Sequence, residues 1–351
     1  MIETWDQLKG HDEQRALFRR SIALGRLSHA YVLAGPAGIG KRLFAQLLAR
    51  SVFCRNHDLT ELTACGDCRA CRAFSASSWP DYIEVGVPAG KTAIPIGAIA
   101  GEDSRRGREG LCYELSMAPQ ASERRVAVIN DAHMMNVESA NALLKTLEEP
   151  PADSLILLVC DNPDTLLPTI RSRCQIIRFF PLTVPTVTEI LQAEELAESP
   201  EEAASIAALS EGSLETARQL LNPELRQLKA SINRQLSQFE AMQPLQISGR
   251  VIEKLEEISS STAEQRQNAQ WLLRFVADSI RDRLKGVARG DLADPLTQKL
   301  GARQGVDLLA PMLDRTIQAS GQIAGSSPVK LVMEALFDDL ASQFRIASRR
   351  G

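Results

Sequence analysis

Ala30-Tyr31-Val32-Leu33-Ala34-Gly35-Pro36-Ala37-Gly38-Ile39-Gly40-Lys41-Arg42 decides the fold. The first five residues read as a buried strand, and Lys41 to Phe53 repeats apolar residues at helical spacing. Between them lies G-x-x-x-x-G-K. A glycine-rich turn between a strand and a helix can cradle a polyphosphate, because backbone N–H groups turn inward and the helix N-terminus adds its positive end. Gly35, Gly38, Gly40 and Lys41 are therefore candidate nucleotide-binding residues, with Lys41 placed near the β- and γ-phosphates. The bare pattern also arises by chance, and it is the strand before it and the helix after it that carry the reading.

The next position breaks the pattern. A phosphate loop of this type follows its lysine with Ser or Thr, whose hydroxyl coordinates Mg²⁺, whereas Arg42 can only donate hydrogen bonds. A second defect lies downstream. Val126 to Ile129 reads as a buried strand and runs into Asn130-Asp131 where an ATPase would carry Asp-Glu. Neutral Asn130 stands for the carboxylate that holds the metal's water, and the shorter Asp131 for the base that orients the attacking water. Taken alone, this run is also compatible with an ordinary strand ending in a polar turn. Together the two departures predict a site that holds ATP weakly and does not hydrolyse it, with Arg42 partly replacing the ion's charge.

Outward from this centre, strands are expected at Ala30 to Ala34, Tyr82 to Val85, Val126 to Asn130, Ile156 to Cys160 and Gln175 to Phe179. Helices are expected at Lys41 to Phe53 and at Val137 to Glu148, the latter stopped by Pro150 and Pro151. This alternation predicts an α/β fold with a parallel sheet. Beyond Pro181 the strand signals fade: Val187 to Leu221 reads as short helices, and the rest is helical. Apolar spacing there picks out Trp271, Leu272, Phe275, Val276 and Ile280, and Leu331, Val332, Leu336, Phe337 and Leu340, with Gly286 to Asp294 read as a connecting loop.

At 351 residues the chain suits more than one domain. A net charge of −4 argues against tight, unaided binding of nucleic acid, so any DNA contact is expected to be shared with partners. There is no long apolar run for a membrane span, and Met1 to Gly10 carries Glu3 and Asp6 in place of an apolar signal core, so a cytoplasmic location is expected. Four of the seven cysteines crowd together as Cys54-x(10)-Cys65-x-x-Cys68-x-x-Cys71. Four soft ligands with no open position suit a structural Zn²⁺ site, with His57 the poorer ligand; free thiols or a redox pair are the alternative.

Ser28-His29-Ala30-Tyr31, the cysteine cluster, Trp79-Pro80-Asp81-Tyr82, the run Asn141 to Pro151 and Arg171-Ser172-Arg173-Cys174 resemble bacterial clamp-loader AAA+ subunits. The resemblance is distinctive over about residues 1–220, and the degraded nucleotide site is similar to the delta-prime branch of DNA polymerase III rather than to the hydrolysing gamma/tau branch. It implies an AAA+ P-loop domain at 1–181 with a zinc module at about 54–71, a helical lid at 182–222 and an all-α collar at 223–351. It also implies gamma/tau and delta subunits as partners, with the sliding clamp and primed DNA met through the assembled complex.

From spacing alone Arg173 reads as a surface arginine near a strand start; the resemblance makes it the arginine finger of Ser172-Arg173-Cys174, given in trans to ATP on a neighbouring subunit. By the same resemblance Gly212-Ser213-Leu214-Glu215 places a carboxylate where the family's lid offers an arginine, and Asn162 falls near the sensor position. Lys145 lies on a helix assigned to the ring's central face, while Arg345, Arg349 and Arg350 read as a solvated helix end. An ATP-hydrolysing gamma/tau-like subunit is the alternative, and Arg42, Asn130 and Glu215 speak against it.

Overall fold

A computed structural model of the chain describes residues 4–88, 91, 93–237, 243–259, 261–290, 295–325 and 327–348. It contains two compact units, Met1–Gln219 and Leu220–Gly351.

In the first unit β1 (Ala30–Ala34), β2 (Tyr82–Val85), β3 (Arg125–Ile129), β4 (Ser154–Cys160) and β5 (Gln175–Arg178) form one parallel sheet in the order β2-β3-β4-β1-β5. β1, β3 and β4 are buried along their whole length, as expected of a sheet covered on both faces. Alternation divides their side chains between two cores. Tyr31, Leu33, Val126, Val128, Leu155 and Leu157 enter one; Ala30, Val32, Ala127, Ile129, Ile156 and Leu158 enter the other.

The helices of this half are α1 (Asp12–Ala23), α2 (Lys41–Phe53), α3 (Arg69–Ser75), α4 (Ile96–Ala100), α5 (Leu111–Ser116), α6 (Val137–Glu148) and α7 (Pro168–Arg171). The bounds of α2 and α6 are those predicted. At the start of α6 the side chain of Asn136 accepts from Ser139 N–H at 2.8 Å, and Pro150 and Pro151 follow its end. Three short helices come next, α8 (Val184–Ala193), α9 (Pro200–Leu209) and α10 (Leu214–Leu220), where short helices were expected.

Asp81, which sequence reading noticed only as part of a motif, is fully buried. Its carboxylate accepts from the N–H groups of Gln120 (2.7 Å), Ala121 and Ser122 (both 2.8 Å) and from Ser122 Oγ (2.6 Å). It thereby fixes the turn that feeds β3. Burial alone would raise its pKa, but these hydrogen bonds outweigh burial and hold it below the ordinary carboxylate range.

The second unit is helical throughout its described residues: α11 (Pro223–Ser237), α12 (Pro244–Glu257), α13 (Thr262–Arg289), α14 (Pro295–Ala324) and α15 (Val329–Ser348). Two expectations need correction. Helix α13 continues through Gly286 to Arg289 and stops at Gly290, whose φ of 76° caps it, so no loop begins at 286; residues 291–294 lie outside the described ones. Leu331 is 62% exposed and faces outward, whereas Val332, Leu336, Phe337 and Leu340 are core. In the consecutive apolar run Leu331-Val332-Met333 successive side chains point about 100° apart around the helix, so not all of them can face the core. Of the three C-terminal arginines only Arg345 is described, and it is exposed; Arg349 and Arg350 lie outside the described residues. Among the described residues no helix is long and apolar enough to cross a membrane.

Candidate nucleotide site and metal centre

The phosphate loop occupies the turn between β1 and α2. Gly38 and Gly40 have φ of 74° and 102°, left-handed values that side chains with a Cβ rarely adopt. Strand register sets what surrounds them. Ala34 pairs with Cys160, so Asp161, one residue beyond β4, stands beside the loop, and Gly35 N–H donates to Cys160 O at 3.2 Å. Val85 pairs with Ile129, which brings Glu84 of β2 next to Asn130 at the end of β3.

The two cations of the loop are both paired internally. Lys41 is 5% exposed; its Nζ donates to Pro36 O at 2.6 Å and to Asp161 Oδ1 at 3.1 Å. Arg42 Nε donates to Glu84 Oε1 at 2.7 Å. Glu84 also accepts from Asn130 Nδ2 at 2.5 Å, from Tyr82 OH at 2.7 Å and from Gln46 Nε2 at 3.1 Å. Burial opposes ionisation of Glu84, yet these donors and the Arg42 guanidinium hold its pKa below the usual value. The neighbouring Tyr82 phenol is pushed up by burial and by the Glu84 charge. The slot between the start of α2 and the end of β3 thus holds an Arg42–Glu84 ion pair. Asn130 Oδ1 is buried there without a hydrogen-bond partner among the described residues.

A cavity of about 960 Å³ opens over the loop, and Gly38, Gly40, Lys41, Arg42, Asn130, Asp131, Asp161 and Glu215 all line it. Two more lining cations, Lys9 and Arg218, pair with Glu189 at 3.1 Å and Glu194 at 2.8 Å. The N-terminus of α10 lies directly on the loop: Leu214 N–H donates to Gly38 O at 2.9 Å. A Cβ on Gly38 would stand 2.4 Å from Ser213 Oγ and 2.5 Å from Glu215 Cβ. Glu215 therefore brings a carboxylate to the phosphate end. Asp161, next to the Asn162 read as near the sensor position, adds another; Asn162 itself spends its side chain on Asp164 N–H at 3.0 Å and does not line the cavity.

Arg173 lies apart from this cavity, between α7 and β5. Its Nη2 meets Glu148 Oε1 at 2.6 Å, and its Nη1 donates to Thr169 O at 2.9 Å and Ser172 Oγ at 3.3 Å. Arg171 pairs with Asp164. Lys145 is exposed on α6. Cys160 and Cys174 have thiols pushed up to about 12 by burial.

Cys54, Cys65, Cys68 and Cys71 converge, with their four Sγ atoms all within 4.8 Å of one another. Tetrahedral Zn–S bonds of about 2.3 Å put sulfurs about 3.8 Å apart, so a small contraction would close this set on one ion. Backbone N–H groups already point at sulfur: Cys65 to Cys54 (3.4 Å), Cys68 to Cys65 (3.3 Å) and Cys71 to Cys68 (3.4 Å). Burial opposes the Cys68 thiolate, but N–H groups of Arg55 and Cys71 bring it down to about 6. A set of thiols with N–H donors aimed at them suits a metal. His57 bonds Glu61 at 2.9 Å instead. These four thiols can hold a metal ion.

Residues 10–183 match the family described as DNA polymerase III, delta subunit. The chain is 36% identical to DNA polymerase III subunit delta' of Pseudomonas aeruginosa over 220 residues, 62% of this chain and 63% of that protein. It is 32% identical to subunit delta' of Bacillus subtilis over 218 residues, covering 62% and 61%. It is also 34% identical to subunit tau of Escherichia coli over 224 residues, 62% of this chain but 32% of that one. The chain thus spans under two thirds of these relatives' lengths. Over residues 10–183 the chain is thus similar to the DNA polymerase III delta-subunit family, and its relatives include delta' and tau subunits.

Proposed function

We propose that this chain is a delta-prime-like subunit of a DNA polymerase III clamp loader, assisting ATP-dependent placement of the sliding clamp on primed DNA without hydrolysing ATP itself. The observation that carries the reading is the internal pairing of the phosphate loop's cations, Lys41 with Asp161 and Arg42 with Glu84. A γ-phosphate and Mg²⁺ arriving there would meet cations already neutralised, a missing hydroxyl and the added carboxylate of Glu215. ATP binding is then weak.

In this reading Arg173 is the contribution to catalysis: an arginine finger given in trans to ATP on a neighbouring gamma/tau subunit, where a guanidinium stabilises charge spreading over the γ-phosphate. The ion at Cys54, Cys65, Cys68 and Cys71 is structural Zn²⁺, residues 182–222 form a lid and 223–351 a collar that joins gamma/tau and delta. The similarity to tau keeps an ATP-hydrolysing gamma/tau-like subunit as the second reading.

Mixing the chain with gamma/tau and delta subunits and following co-elution tests the assignment. One stable complex is expected, with no ATP turnover by the chain alone. Elution apart from those subunits would sink the proposal, and steady turnover by the isolated chain would favour the second reading.

A further inference from the structure

The guanidinium of Arg173 has both terminal nitrogens engaged within its own chain. Nη2 meets the carboxylate of Glu148, the last residue of α6, at 2.6 Å, and Nη1 is held by Thr169 O and Ser172 Oγ. A guanidinium grips a phosphate through a fork of parallel N–H donors, and a carboxylate uses the same fork. Glu148 therefore already occupies, with an anion, the face of Arg173 that a phosphate oxygen would need. Remaining beside it, Glu148 would also repel the incoming γ-phosphate.

We infer that Glu148 is a latch on Arg173, holding the guanidinium against α6 until the neighbouring subunit's phosphate displaces it. This rests on the reading of Arg173 as a finger in trans. The latch is weak by construction. The side chains of Arg173 and Glu148 are 34% and 48% exposed, and exposed pairs are screened and contribute little to stability. A polyphosphate carries several charges against the one of Glu148 and can outcompete it. Pro150 and Pro151 end α6 immediately beyond, so Glu148 is presented from a fixed helix terminus. Glu148 is thus a positioning residue that acts through Arg173.

The test is a double-mutant cycle on a loader reconstituted with gamma/tau and delta, reading clamp- and DNA-stimulated ATP turnover. Glu148→Ala is expected to raise kcat by about two- to fivefold, the range open to an exposed ion pair, with KM for ATP unchanged. Glu148→Gln, which keeps an acceptor and loses the charge, should fall between. In an Arg173→Ala background Glu148→Ala should do nothing, and the thermal midpoint of the chain should match the parent. An equal change in both backgrounds, or no rise in the first, overturns the latch while leaving the finger standing. If Arg173→Ala itself leaves turnover intact, the finger reading fails and the latch fails with it.

Discussion

Arg42 and Glu84 lie 2.7 Å apart where a hydrolysing site would hold magnesium between the start of α2 and the end of β3. The pair is the hub of a wider set, since Gln46, Tyr82 and Asn130 also donate to Glu84. Removing one acceptor from four donors leaves partly buried groups unsatisfied. Glu84→Ala should therefore cost about 1–3 kcal/mol, measured by urea unfolding.

The same carboxylate gives a pH signature. Its folded pKa lies below the ordinary value of 4.5, so its contribution is present above that value and is lost as pH falls from 4.5 through the folded value. The parent should lose stability faster than Glu84→Gln on descending through that window. Parallel curves would mean that the hub does not stabilise the fold.

Restoring Thr at position 42 and Asp-Glu at 130 and 131 returns the hydroxyl and the two carboxylates that metal-dependent nucleotide binding needs. Isothermal calorimetry with MgATP should show tighter, magnesium-dependent binding by this triple variant. Unchanged binding would locate the block elsewhere, with Asp161 on Lys41 and Glu215 on Gly38 the remaining obstacles.

The alternation of short apolar runs with helices made the α/β half legible, because both strand faces are buried and each strand reads as a continuous apolar run. The convergence of Cys54, Cys65, Cys68 and Cys71 was legible because the four thiols are close in sequence. Glu84 and the contact of Asp161 with Lys41 were not. Each residue reaches the phosphate loop only through strand register, a relationship between segments far apart in the chain. Leu331 and the continuation of α13 past Gly286 were misread for a related reason: local spacing and a single glycine do not determine which helix face finds a partner.

Metal analysis of the purified chain should find about one zinc per chain, and Cys65→Ser should lower the thermal midpoint, by about 2–4 °C for each kcal/mol lost in a unit of this size. A fully folded, metal-free protein would remove the zinc assignment.

ATP turnover of a loader reconstituted with gamma/tau, delta and this chain, stimulated by clamp and primed DNA, tests the central claim most directly through Arg173→Ala and Lys41→Ala. A finger contributes about 10³–10⁵ in rate at the site it serves, so Arg173→Ala should silence that site while Lys41→Ala leaves turnover near the parent value. If Lys41→Ala is the damaging change and Arg173→Ala is tolerated, the chain hydrolyses ATP itself and the account is contradicted.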